Sequence, residues 1–278
     1  MTWLLKPYPL QDAALAGDLW VHPALTPQPK VIAQVSAAGA WTNWIDVDLW
    51  ADRPLDTFAL LFHNGPMGGS WKAYGRTDAD GPPAGPWIDD PATELFEYVG
   101  WGEFPPSADG VFRDRRAHAL MTLPAPRPVR YLRIYINWPG PADLNPWNLG
   151  VIAIGKRWEP GRDTNEMRGF DWGSGWRAND PSEVRTHDGG EQSSWRRAVV
   201  PEVRGTFSHL TDAEVSELKA IIMAAARTEP LLLVESSDAL GDAGMPQKIH
   251  YGSLIEVDFF GRTQPNKSRF ELRLRNWL

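Results

Sequence analysis

Apolar and polar residues alternate along much of this chain with the period of two that half-buried β-strands require. From Trp44 to Trp50, Ile45, Val47 and Leu49 fall on one side and Asp46 and Asp48 on the other, and Asp56 to Asn64 reads as a second strand. The run Arg130 to Ile136 sets Leu132, Ile134 and Ile136 inward against Tyr131, Arg133 and Tyr135, with Val151 to Ile154 expected as its pairing partner. Leu231 to Val234, Ile249 to Phe260 and Arg269 to Leu278 read as further strands, the last alternating Phe270, Leu272 and Leu274 with Glu271, Arg273 and Arg275.

One segment breaks this rhythm. Thr211-Asp-Ala-Glu214 is a capping box, in which the Thr211 hydroxyl accepts from the Glu214 amide while Glu214 reaches back. Val215, Leu218, Ile222 and Ala225 then recur at helical spacing, and Pro230 ends the element. Between Gly65 and Pro91, Gly, Pro and Asp are so dense that a long loop without regular ladders is expected. A second polar, Gly-rich stretch from Gly155 to about Gly190 marks a domain boundary near 155–161. The expected architecture is mainly β: a β-sandwich over 1–155 with an N-terminal extension, then a smaller α+β domain over 156–278.

Composition narrows the function classes. The 278 residues are enough for two cores. With no cysteine, disulfides and thiolate chemistry are excluded. A net charge of -7 argues against wrapping nucleic acid, which needs a concentrated excess of Lys and Arg. No apolar run reaches the ~20 residues of a membrane span, and Pro7 and Pro9 interrupt any helical export signal, so cytoplasmic synthesis is expected. The 15 Trp residues serve either as core fill or as stacking platforms for sugars and protein partners.

Candidate chemistry is sparse. No Gly-x-Ser-x-Gly, His-Glu-x-x-His or P-loop motif occurs, and the six His residues lack metal-ligand spacing, so the chain reads as a binding or structural protein rather than an enzyme. Trp71, Tyr74, Trp87 and Trp101, in and beside the long loop, are candidates to stack on sugar rings, with core packing as the alternative. Arg196, Arg197 and Arg204 flank apolar positions on an expected strand and are candidates to pair with acidic residues of a neighbouring subunit; a solvated strand face is the alternative.

Two resemblances add to this reading. Trp44-Ile-Asp-Val-Asp-Leu49, the strand Phe58 to Asn64, Arg130-Tyr-Leu-Arg-Ile134 and Val151-Ile-Ala-Ile-Gly155 follow the order found in galactose-binding-like (discoidin-type) jelly rolls. Gly155-Lys-Arg-Trp-Glu-Pro160, Trp172-Gly-Ser-Gly-Trp176, Leu210-Thr-Asp-Ala-Glu214 and Tyr251-Gly-Ser-Leu-Ile-Glu256 follow the order of pieces in distal-tail or minor tail proteins of tailed bacteriophages. The segment Gly161 to Gly169, carrying Asp163, Glu166 and Arg168, departs from that family's small-residue turn. The first resemblance implies binding of a host surface glycan and a structural calcium held by loop oxygens, for which Asp78, Asp80, Asp89 and Asp90 are the candidates. Their spacing does not match an EF-hand, and a solvated acidic loop is the alternative. The second implies a virion protein: a ring-forming adaptor joining the tail tube to hub or receptor-binding proteins, with the jelly roll displayed outward. A stand-alone carbohydrate-binding module is the rival reading.

Overall fold

The computed structural model describes residues 2–10, 14–17, 33–35, 39–63, 70–82, 94–99, 117–138, 147–161, 170–171, 175–187, 190–195, 199–235, 248–256, 260–264 and 266–277. The first half carries β1 (Trp3–Leu5), β2 (Ala14–Gly17), β3 (Ala33–Val35), β4 (Gly39–His63), β5 (Ser70–Arg76), β6 (Glu94–Val99), β7 (Ala117–Trp138), β8 (Trp147–Leu149) and β9 (Val151–Gly155). The second half carries β10 (Gly175–Asn179), β11 (Glu183–Thr186), β12 (Gln192–Trp195), β13 (Val200–Leu210), α1 (Asp212–Ala225), β14 (Leu231–Val234), β15 (Ile249–Leu254), β16 (Gly261–Gln264) and β17 (Lys267–Asn276). The protein is mainly β.

Two compact units result, one built on Leu5–Arg157 and the other on Met1–Leu4, Trp158–Glu235 and His250–Leu278. In the first, β4 and β7 are long antiparallel strands that pair along their length but lose register between Asp48 and Arg53. Trp50 sits in that break with φ 64, and its N–H donates to Asp48 Oδ1 at 2.8 Å. The break lets the two arms of the β4–β7 pair fold over one interior. Ile45, Val47, Leu132 and Ile134 of one arm join Phe58 and Leu60 of the other, with Ile152 and Ile154 of β9, in a single buried cluster, the arrangement of a β-sandwich.

Three expectations are revised in this unit. The segments read as two strands, 44–50 and 56–64, are one element bent at Trp50, because pairing with β7 continues on both sides of the break. Val151–Gly155 pairs with Thr57–Leu61 of β4, not with Arg130–Ile136. Alternation reports which face a residue takes and not which strand lies beside it. The long loop expected over 65–91 contains β5, a strand without proline, bonded to β7 on one side and β6 on the other. The Gly and Pro residues flanking it masked seven ordinary strand positions.

The second unit is a seven-stranded sheet in the order β1-β14-β15-β17-β13-β10, with β16 on β17. Helix α1 starts as the capping box requires: Glu214 N–H donates to Thr211 Oγ1 at 3.3 Å, and Thr211 N–H to Glu214 Oε2 at 2.7 Å. Leu218, Ile222 and Ala225 pack into a core with Phe207, Leu231, Leu233, Phe270, Leu272 and Leu274. The N-terminal strand β1 belongs to this sheet, tied by Leu4 and Trp158 through reciprocal backbone bonds of 2.9 and 2.7 Å. Nothing in the local pattern of Trp3 to Leu5 could announce so distant a partner.

Candidate functional site

The sandwich face opposite its core is a closed polar and aromatic layer. In register across β4, β7 and β5 lie Trp44, Tyr135 and Lys72, then Asp46, Arg133 and Tyr74, then Asp48, Tyr131 and Arg76. Arg133 grips both Asp46 oxygens, with Nη2 2.6 Å from Oδ2, while its guanidinium lies 4.3 Å from the centre of the Trp44 ring. Tyr74 and Tyr135 meet edge to face at 5.7 Å. Groups linked in this way stiffen a sheet.

At the bend, Arg130 donates to Asp48 at 3.0 Å and to Asp78, and rests 4.8 Å from the Tyr131 ring. Burial pushes the Asp48 carboxyl up, but the Arg130 and Trp50 hydrogen bonds outweigh it and hold the group below the usual carboxylate range. Asp52 accepts from the Asp78 N–H at 2.8 Å. Asp80 closes the adjacent 3₁₀ turn by accepting from Thr77, and those bonds lower its pKa.

These placements alter the sequence-based candidates. Trp71 and Tyr74 are 0 % exposed, so neither ring offers a face to a sugar, and the expectation of exposed platforms is corrected. Trp71 follows the inward parity of β5, and Tyr74 lies beneath Tyr135. Asp78 is engaged by Arg130 and Asp80 by Thr77, and among the described residues no three His, Asp or Glu side chains converge as metal ligands. Trp87, Trp101, Asp89, Asp90, Arg196 and Arg197 lie outside the described residues. Arg204 pairs with Glu271 of its own sheet, with Nε 2.8 Å from Oε1.

That pair belongs to a ladder on the sheet face turned away from α1. Glu202, nearly buried, accepts from Arg177 at 2.7 Å, Arg275 at 2.9 Å and Asn179 at 2.8 Å. Burial pushes its carboxyl up, but these bonds prevail and hold it below the usual range. Hydrogen bonds from Arg204 and Arg273 do the same for Glu271. A carboxylate with a lowered native pKa adds stability that is full above its unfolded pKa, ~4.3, and lost as pH falls through the native value. The second unit is therefore expected to hold its melting temperature from pH 7 to about 5 and lose it steeply below about 4. In Glu202→Gln the acid-side fall should be shallower; equal slopes in thermal melts at pH 7 and 3.5 would refute the ladder's role.

The sequence reading missed the exposed apolar residues. Trp50, Trp176, Val184 and Trp195 all face water, Trp176 at 66 %, Val184 at 64 % and Trp195 at 70 %. For Trp50 a signal existed, since it shares the parity of Asp46 and Asp48. For the others the Gly- and Ser-rich surroundings suggested a loop, whereas β11 and β12 form a two-stranded ribbon exposed at every position.

No family model matches this chain, and no curated protein matches it. Among solved structures it is similar to the family 32 CBM from C. perfringens NanJ in complex with galactose, at 10 % identity and TM-score 0.36, covering 55 % of this chain and 98 % of that one. It is also similar to chitosan-binding module 2 of a chitosanase/glucanase from Paenibacillus sp. IK-5, in complex with chitotriose (14 % identity, TM-score 0.37, 54 % of this chain and 100 % of the module). A third is the lectin domain of lectinolysin complexed with Lewis B antigen, at 10 % identity and TM-score 0.34 over 55 % of this chain and 99 % of that one.

Proposed function

We propose that this chain is a self-assembling structural protein of a bacteriophage tail tip, an adaptor between the tail tube and the hub or receptor-binding proteins. The observation that carries the reading is the β11–β12 ribbon, whose Val184 and Trp195 are left in water on a strand pair too small to be stable alone. In this reading a neighbouring subunit covers it. The order of sequence pieces that resembles distal-tail proteins supports an assembly of that kind, and closed symmetric rings are the common outcome of such self-association. The expected result is concentration-dependent self-association in light scattering, with closed rings in electron micrographs; a monomer at every concentration would sink the reading.

A second reading, a carbohydrate-binding module acting outside any particle, is favoured by Trp50. The backbone N–H of this exposed tryptophan donates to Asp48 at a position with φ 64, beside the Asp48–Arg130 pair, and an apolar platform flanked by planar polar groups suits a sugar ring. It calls for sugar affinity in a monomer.

A further inference from the structure

His250 belongs to neither of the carboxylate networks described above. It lies on β15, 4 % exposed, in parity with Leu254 and so on the side of the sheet that packs against α1. Glu235, just past β14, continues the parity of Leu231 and Leu233, and Asn276, the last residue of β17, that of Leu272 and Leu274. Because β15 lies between β14 and β17, the three polar side chains meet at one end of the apolar face. His250 Nε2 is 2.9 Å from Glu235 Oε1, and Asn276 Nδ2 is 3.3 Å from His250 Nδ1.

These partners fix the state of the ring. A ring nitrogen that accepts from an amide N–H carries no proton, so the single ring proton is on Nε2 and is donated to Glu235. One group is left over, since Asn276 Oδ1 is buried with no donor. Among the described residues Glu235 is the charged group bonded to the ring. Lys248, ahead of β15, and Tyr251, on the opposite side of that strand, are its titratable neighbours in sequence. β1 brings Thr2, whose hydroxyl donates to the Glu235 carbonyl oxygen at 2.6 Å, and α1 brings apolar Leu218, Ile222 and Ala225. Arg273 and Arg275 of β17 lie on the other side of the sheet, paired with Glu256, Glu271 and Glu202.

Turning the Asn276 amide over by half a turn sets Oδ1 against Nδ1. The ring can then hold a second proton with both N–H groups bonded, one to an amide oxygen and one to a carboxylate. The count of unmet groups is the same in each state, Oδ1 before the turn and Nδ2 after it. What changes is that the Glu235 bond joins two charges, and such bonds are shorter and about twice as strong. Glu235 keeps 31 % of its side chain exposed, so its own charge stays partly hydrated. We propose that His250, Glu235 and Asn276 form a proton-operated latch: as pH falls His250 takes a second proton inside the folded second unit, Asn276 turns over, and the ends of β14, β15 and β17 are drawn together more tightly.

Imidazole in water charges near pH ~6.5, so nitrogen-15 spectra of the full chain's imidazole rings at pH 8 and pH 5 bracket the event. At pH 8 the His250 ring should carry its proton on Nε2 alone. At pH 5 both nitrogens should be protonated while amides of β13 and β17 remain protected, and the Asn276 side-chain amide signals should move with the ring. Asn276→Leu leaves a charged N–H without an acceptor and should weaken proton uptake roughly tenfold. A His250 ring that stays neutral until the amides of β13 and β17 lose protection would overturn the latch. So would a ring that charges as readily in Asn276→Leu as in the wild-type chain, because the amide would then play no part.

Discussion

Trp71→Ala is expected to destabilise the sandwich instead of erasing a binding surface. The ring is 0 % exposed on β5, between β7 and β6, and belongs to the cluster with Ile45, Ile134 and Ile136. Truncating a buried Trp costs about 3–5 kcal/mol, through lost transfer energy and the cavity left behind. That is a large part of the ~5–15 kcal/mol that holds a domain together. A fall in melting temperature of roughly 6–20 °C follows for a unit of this size, read by circular dichroism and by faster amide exchange in β4 and β7. Trp50→Ala, at an exposed position, should stay within about 0.5 kcal/mol of wild type. Any sugar affinity lost in Trp50→Ala at unchanged stability is then a surface effect. Wild-type stability in Trp71→Ala would contradict the packing of the sandwich core.

The contrast between these two tryptophans shows what the sequence discloses. Burial of Ile45, Val47, Leu132 and Ile134 was legible, because period-two alternation is imposed by the pleat and needs no knowledge of neighbours. The start of α1 was legible for a similar reason, since a capping box is satisfied within four residues. Strand neighbours were not. β9 lies on β4, and β1 on β14, through contacts distant in sequence that no local window contains. Trp71 was misread because surrounding Gly and Pro outweighed a short run whose parity with Ala73 already pointed inward. The β11–β12 ribbon was hidden for the opposite reason: its strands are exposed at every position, so no apolar stripe marks them.

Leu218→Asp tests the second unit at its most sensitive point. Leu218 is fully buried in the middle of α1, packed in the cluster that holds Phe207, Leu231, Phe270 and Leu272. Losing the leucine alone costs about 2.7–5 kcal/mol. The carboxylate must then be buried without a partner or neutralised against its ordinary pKa, which adds several kcal/mol more. Neither the Thr211–Glu214 cap, worth about 1 kcal/mol, nor rotation of so short a helix can offset the sum, because Ile222 and Ala225 would leave the core with it. Complete loss of the native second unit is the expected result: amides of β13, β14 and β17 exchange at unprotected rates. Among the described residues the sandwich core is a cluster of its own that includes no residue of α1, so amides of β4 and β7 should stay protected. Protection of β13 and β17 at wild-type levels would mean that α1 does not close this core. Simultaneous loss in β4 and β7 would mean that the two units fold as one.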